Sequence, residues 1–209
     1  MAGLKRRGNA KEDKNIVCEN LEEGKDYEAR LVFVADLGLH ENSYMGEEKA
    51  NVQKIALGYE ILGETVEIDG EVFPRIMWDK PFNIYWKMTS NGTELSKFKI
   101  FNPTAKEGEM ANWEGVLGTP VNITVVHVQD KKDKDKVYDN ILSVQAIPKK
   151  YHKDVPAPIT TLVVGDADDK ENEATKSLFG LTKWMYDRRI VEGDAPEEED
   201  VADEGDIPF

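Results

Sequence analysis

Apolar residues recur at every second position along several stretches of this chain, a period that predicts strands. Between Tyr27 and Asp36, one face carries Tyr27, Ala29, Leu31, Phe33 and Ala35, and the other carries Val32 and Val34. From Val52 to Leu62, Ile55, Leu57, Tyr59 and Ile61 alternate with Lys54, Ala56, Gly58 and Glu60. A glycine opposite such large residues predicts a bend or a close backbone approach, as barrels require. The intervening GLHENSYMGEE (38–48) reads as a loop or hairpin tip with one exposed aromatic, Tyr44. Glu64 to Trp78 reads as two short strands about Asp69-Gly70, and Pro74 makes the second an edge or bulged strand. In the run from Phe82 to Lys87, alternation puts Phe82, Ile84 and Trp86 on the apolar face and Asn83, Tyr85 and Lys87 on the surface. Asn91-Gly92 is a further turn signal, followed by a strand-like Lys97-Phe98-Lys99-Ile100-Phe101.

The period then changes. Residues 104–117 predict a short helix: Thr104 and Glu107 form a capping-box pattern, and Met110, Trp113 and Leu117 are spaced three and four apart. Val121–Val128 and Val137–Ile147 predict a hairpin joined by the charged loop DKKDKDK. Residues 154–170 read as a linker around an apolar patch, Ile159 to Val164. Residues 171–191 read as a last helix that Gly180 weakens or splits. Strands, a short helix and two more strands are the order of an oligonucleotide-binding (OB) barrel. The expected fold is therefore mainly β: an OB-fold-like five-stranded barrel with extra strands, a short helix between strands three and four, a C-terminal helix and a disordered acidic tail. A plain β-sandwich is the structural alternative. The expected divisions are a basic flexible arm (1–19), an OB-type domain (20–165), a helical segment packed on it (166–191) and the tail (192–209).

Charge sharpens the last division. The chain has 41 acidic and 27 basic residues and a net charge of −14. Nine of the acids lie in EGDAPEEEDVADEGDIPF (192–209), which has no Lys or Arg; removing them from the 41 leaves 32 acids against 27 bases. Mutual repulsion and scant apolar surface predict disorder there. The segment nevertheless closes on Asp206-Ile207-Pro208-Phe209, an acidic lead into an aromatic plug suited to a pocket with apolar walls and a basic rim. The same polyanion, tethered to a mildly acidic body that can carry a basic groove, is expected to compete for that groove with any other polyanion. The sequence holds no apolar run able to span a bilayer and no signal core after its basic start, so a cytoplasmic location is the default expectation. Cys18 is alone, and His40, His127 and His152 are scattered without metal-ligand spacing, which argues against disulfides and a metal site.

No phosphate-binding glycine loop, His-carboxylate-Ser set or His-Glu-x-x-His pattern is present, so the chain reads as a non-enzyme without cofactor. What stands out is aromatic and basic residues interleaved on expected strands. Trp78, Tyr85, Trp86, Phe98 and Tyr138 recur with Lys54, Arg75, Lys87, Lys97 and Lys99 nearby, and Lys131 and Lys132 lie in the charged loop. Single strands are held without sequence preference by that combination: aromatic faces stack on bases and cations follow the phosphates. These residues, with Tyr59, are the candidate nucleic-acid contacts. Alternation places Tyr59 and Trp86 on inward faces and sets Phe98 opposite its flanking lysines, while Trp113 is expected in the core.

The span Gly118 to Pro148 resembles the last hairpin of bacteriophage single-stranded-DNA-binding proteins. The matching features are Leu117-Gly118, a strand ending Val126-His127, the Lys/Asp turn, Tyr138-x-Asn140-Ile141 and Pro148. The opening strand, from Gly24-Lys25-x-Tyr27-x-Ala29-Arg30 to Asp36-Leu37-Gly38, is also similar, as is the Leu181-x-x-Trp184-x-x-x-x-x-Ile190 element. So is the acidic tail with its aromatic ending. The resemblance implies coating of exposed strands in replication, recombination and repair. It further implies recruitment of polymerase, helicase/primase or recombination proteins through Asp206 to Phe209, inside the host cell and away from membranes. Self-association is left open. The alternatives are a virion or assembly β-barrel that binds no DNA, and a metal-dependent nuclease.

Overall fold

The structure is a computed structural model that describes residues 16–129, 134 and 136–191. Alternating patterning dominates the chain, and the result is mainly β. In chain order come β1 (Ile16–Val17), β2 (Asp26–Tyr44), β3 (Glu47–Ile68), β4 (Glu71–Trp78) and β5 (Phe82–Ile84). Helix α1 (Thr93–Phe101) and a 3-10 turn at Glu114–Val116 follow. Then come β6 (Pro120–Gln129), β7 (Val137–Ala146), β8 (Val163–Gly165) and two short helices, α2 (Glu173–Lys176) and α3 (Gly180–Tyr186).

All the strands join one sheet. The long β2 lies between β3 and β6, antiparallel to both. On its other edge β3 carries β4 and β5, and β6 carries β7. Read across the sheet, the five principal strands run β4-β3-β2-β6-β7, with α1 between the third and fourth of them in sequence. This is OB-type connectivity, with β1, β5 and β8 as additions. Pairing leaves the sheet open between β4 and β7. Side chains bridge that gap: the Arg75 guanidinium on β4 donates to Asp139 on β7. Residues 18–23 fill it further, with Arg75 Nη1 donating to the Glu19 carbonyl at 2.6 Å and the Leu21 N–H to Asp139 at 2.9 Å.

The barrel interior holds Leu31, Leu57, Tyr59, Ile61, Val121, Ile123 and Val125, all fully buried. Its end is stoppered by Leu95, Phe98 and Phe101 of α1 around Trp113, whose ring lies 5.0 Å from that of Phe98. A second cluster lies outside the barrel wall. There Val32, Phe33, Ala35 and Ala56 meet Ala174 of α2, Tyr186 of α3 and Leu178 between them. The wall can be apolar on both sides because β2 has a bulge between Leu31 and Phe33. The extra residue switches the side-chain phase, so Phe33 and Ala35 face outward rather than sharing the face of Ala29 and Leu31. Gly58, paired with Phe33, leaves the space the outer layer needs: a Cβ there would sit 3.0 Å from Phe33 Cβ and 3.1 Å from the Trp78 ring.

Several expectations are corrected. The helix between the third and fourth strands is Thr93–Phe101, not 104–117. Leu95, Phe98 and Phe101 lie on one helical face, and the turn expected at Asn91-Gly92, closed by the Gly92 N–H donating to the Thr89 carbonyl at 3.0 Å, leads into this helix rather than into a strand. The 38–48 segment is mostly strand, because β2 and β3 run on to a tight turn at Met45-Gly46, both with positive φ. Ile16 and Val17, assigned to the arm, pair with β3. The linker contains β8, which adds in parallel to β2. The Asp69-Gly70 hairpin, the irregular pairing near Pro74 and the break of the last helix before Gly180 are as expected. The tail and residues 1–15 lie outside the described residues.

Candidate nucleic-acid interface

β4 ends at Trp78, and the chain turns through Asp79-Lys80-Pro81 into the short β5, held by its pairing with Gln53 to Ile55 of β3. Beyond Ile84 the strand stops, and Tyr85, Trp86 and Lys87 stand exposed before Met88 plugs back into the core. Tyr85 is anchored through its backbone, whose N–H donates to Glu94 of α1 at 3.4 Å. Between this corner, the start of α1 and β7 lies an open cleft of about 570 Å³. Lys80, Asn83, Tyr85, Gly92, Thr93 and Lys97 line one side, and Ile141 and Leu142 the other.

The cleft combines cationic, polar and apolar side chains with one buried carboxylate, Asp79. Lys80 is exposed on its rim. Lys97 donates to the buried Asp79 carboxylate, which also receives the Lys80 N–H at 2.7 Å. Lys54 donates to the neutral side-chain oxygen of Asn83, and burial pulls its ammonium below the usual lysine range. Gly92 and Thr93 bring the N-terminal end of α1 to the cleft, where the helix dipole favours an anion. Tyr85 is 50% exposed and Trp86 77%. On β7, Tyr138, Asn140 and Leu142 are exposed at alternate positions, so Tyr138 extends the Leu142 side of the cleft by about 13 Å along the strand.

Burial of Glu94 raises its carboxyl above the ordinary glutamate range, and hydrogen bonds from Trp113 Nε1 and the Tyr85 N–H oppose that rise. One side chain thus ties the aromatic stopper of the barrel to the backbone of the exposed corner.

The candidate residues divide sharply. Tyr85, Lys87, Lys99 and Tyr138 are exposed, Lys97 lines the cleft half-buried, and half-buried Lys54 donates to the lining Asn83. Trp86 is also exposed, against the expectation that it is core: alternation ends at Ile84, so its phase cannot be carried to residue 86. Four candidates are engaged within the fold instead of lining the cleft. Tyr59 is fully buried in the barrel. Phe98 is 3% exposed in the α1 stopper. Arg75 is held by Asp139 and the Glu19 carbonyl. Trp78 stacks on Phe33 at 5.9 Å and donates to the Ser177 carbonyl, which places it beneath the C-terminal segment. Lys131, Lys132 and the tail residues Asp206, Ile207, Pro208 and Phe209 lie outside the described residues. Sequence reasoning missed Lys80, Asn83 and Leu142. The Asp-Lys-Pro turn beside an aromatic run was a usable signal for Lys80; nothing in the sequence marked Leu142 as facing a cleft.

Among the described residues, no group of three or more His, Cys, Asp and Glu is placed to hold a metal ion, and no helix is long and apolar enough to cross a membrane. No protein-family model, curated protein or solved structure matches the chain.

Proposed function

We propose that this chain binds single-stranded DNA without sequence preference, as a coating protein of phage-type replication, recombination and repair, and that its acidic tail recruits replication partners. The cleft beside Tyr85 carries the reading. Its lining joins Tyr85 to Lys80 and Lys97; exposed Trp86 and Lys87 follow Tyr85 in the chain, exposed Tyr138 lies farther along β7, and Lys54 donates to the lining Asn83, all along an open edge of an OB-type barrel. An extended strand laid between the 79–87 corner and β7 stacks bases on Tyr85 and Trp86 and sets phosphates against Lys80 and the start of α1. A duplex keeps its base faces covered and gains only the phosphate contacts. The fold by itself does not select this function, since barrels of this type serve many; the composition of the cleft is what supports the reading.

The test is titration of the full chain with oligo-dT, followed by tryptophan fluorescence. The expected result is quenching, weaker binding of duplex, and a salt slope near −0.7 for each phosphate neutralised. Trp86→Phe should remove most of the quenching. If quenching survives that change and is lost in Trp184→Phe, DNA lies on the C-terminal helices and the cleft is not the site. Affinity that is flat in salt, or equal for duplex, would reject the reading.

A further inference from the structure

A second cleft, of about 450 Å³, lies in the C-terminal segment, between α2, α3 and the last described residue. Its lining includes Lys170, Lys176, Lys183 and Arg189, against one acid, Asp187. Its floor is built rather than incidental. Tyr186 is 4% exposed, its hydroxyl donates to the Ala167 carbonyl at 2.9 Å, and the Arg189 guanidinium lies over its ring at 4.1 Å. Arg189 is itself positioned by the positive-φ Gly38 in the bulged part of β2: a Cβ at Gly38 would fall 2.7 Å from Arg189 Cδ. Thr175, also in the lining, is 6% exposed, and its hydroxyl has no hydrogen-bond partner among the described residues. A buried polar group left unpaired is costly, so such groups mark places where an additional acceptor or donor is expected.

We propose that this basic cleft is the seat of the chain's own acidic segment, residues 192–200. Val191 is part of the cleft wall, and the next residue begins a run holding Glu192, Asp194, Glu197, Glu198, Glu199 and Asp200 without a single base. Six carboxylates therefore leave directly from a rim of four cations. Nine residues reach about 30 Å when extended, ample to fold back over a cleft at their own root. Attachment supplies an effective concentration of order mM, so contacts too weak to hold a free peptide suffice. The lysines are exposed and meet acid side chains that water screens: Lys176 with Glu171 at 2.7 Å and Lys183 with Asp187. Exchanging these partners for tail carboxylates costs little, and the Thr175 hydroxyl gains an acceptor. This seat is separate from the cleft beside Tyr85, so the inference does not depend on DNA binding.

The test is ¹⁵N relaxation of the full chain at low salt. Backbone amides of residues 192–200 should be measurably ordered in the parent chain. Order should be lost in Lys170→Gln/Lys176→Gln/Lys183→Gln and at about 1 M salt, where the screening length falls to about 3 Å. Thr175→Val, which keeps the shape and removes the hydroxyl, should lower the order with the melting temperature unchanged or raised. Replacing the nine tail carboxylates by their amides should shift the amide resonances of residues 170–191. Tail order that is the same in parent and triple-lysine variant would overturn the proposal. So would tail order that disappears on dilution, which would assign the seat to the tail of a second copy. So would oligo-dT shifting residues 170–191 in the tail-neutralised chain, which would assign the cleft to nucleic acid.

Discussion

Trp78 and Trp86 lie eight residues apart in one aromatic and basic stretch, and the fold uses them oppositely. Trp78 and its neighbour Arg75 are committed inward. The first stacks on Phe33 under the C-terminal helices, and the second closes the gap between β4 and β7 through Asp139. Trp86 and its neighbours Tyr85 and Lys87 have no such employment and stand in solvent beside a cleft. Both groups pair an aromatic with a cation. What separates them is whether a later part of the chain returns to cover them. β7 and residues 159–186 return over positions 75–78, and β5 ends before position 85. An aromatic–basic cluster is therefore evidence for a binding face only once the rest of the chain has been placed.

The largest effect expected of a substitution that tests this contrast is on stability. Arg75→Ala leaves Asp139, whose side chain is 4% exposed, as a buried charge without its main partner. It should destabilise the fold by about 3–5 kcal/mol, read as a lower denaturant midpoint. Affinity for oligo-dT, measured where the chain remains folded, should be unchanged; a selective loss of affinity would return Arg75 to the binding face.

Tyr85→Ala and Trp86→Ala should do the reverse. Each removes exposed surface and should weaken oligo-dT binding by about 1–3 kcal/mol, with the melting temperature unmoved. A lower melting temperature with intact affinity would break the comparison, because it would make the 85–87 corner structural.

A smaller change is expected from Lys80→Ala, which removes one exposed cation at the cleft rim. The slope of log affinity against log salt should become shallower by about 0.7. No change in slope would mean that phosphates do not pass the Asp79-Lys80-Pro81 turn.

The smallest effect concerns Glu94. Its carboxyl is raised by burial, so in the window just above the ordinary glutamate value the folded chain holds more protons than the unfolded chain. Stability contributed by this group therefore falls as pH rises through that window and is regained on acidification. In Glu94→Gln this dependence disappears. The stability of the variant relative to the parent should rise with pH across the window and then level off, as read from urea midpoints at several pH values. A constant difference would mean that Glu94 titrates normally and holds Tyr85 by geometry alone.

The sequence by itself determined most of the wall. Alternation over 27–36, 52–62, 121–128 and 137–147 predicts β2, β3, β6 and β7, since one buried face imposes a period of two whatever the partner strand. Asp69-Gly70 determined its own turn, because positive φ at both central positions selects such residues. Gly58 was legible as a close approach because it interrupts large residues on its strand, although the neighbours it admits, Phe33 and Trp78, come from distant parts of the chain. Tertiary structure alone decided the rest. Lys97 to Phe101 alternates like a strand, yet Leu95, Phe98 and Phe101 also fit one helical face, and the open end of the barrel around Trp113 selects the helix. The bulge at Leu31 to Phe33 reverses the faces of β2, which no period read along one strand reveals. The candidate site was legible in residue type and not in membership. Tyr85 and Lys87 were expected at the surface, but they are exposed together with Trp86 because the strand ends at Ile84, not because alternation continues; burial of Arg75 and Phe98, the covering of Trp78 and the recruitment of Leu142 depend on segments tens of residues away. Local periodicity records which side of an element meets apolar surface; whether that surface is the barrel interior, a covering helix or the wall of a cleft is set only when distant segments pack.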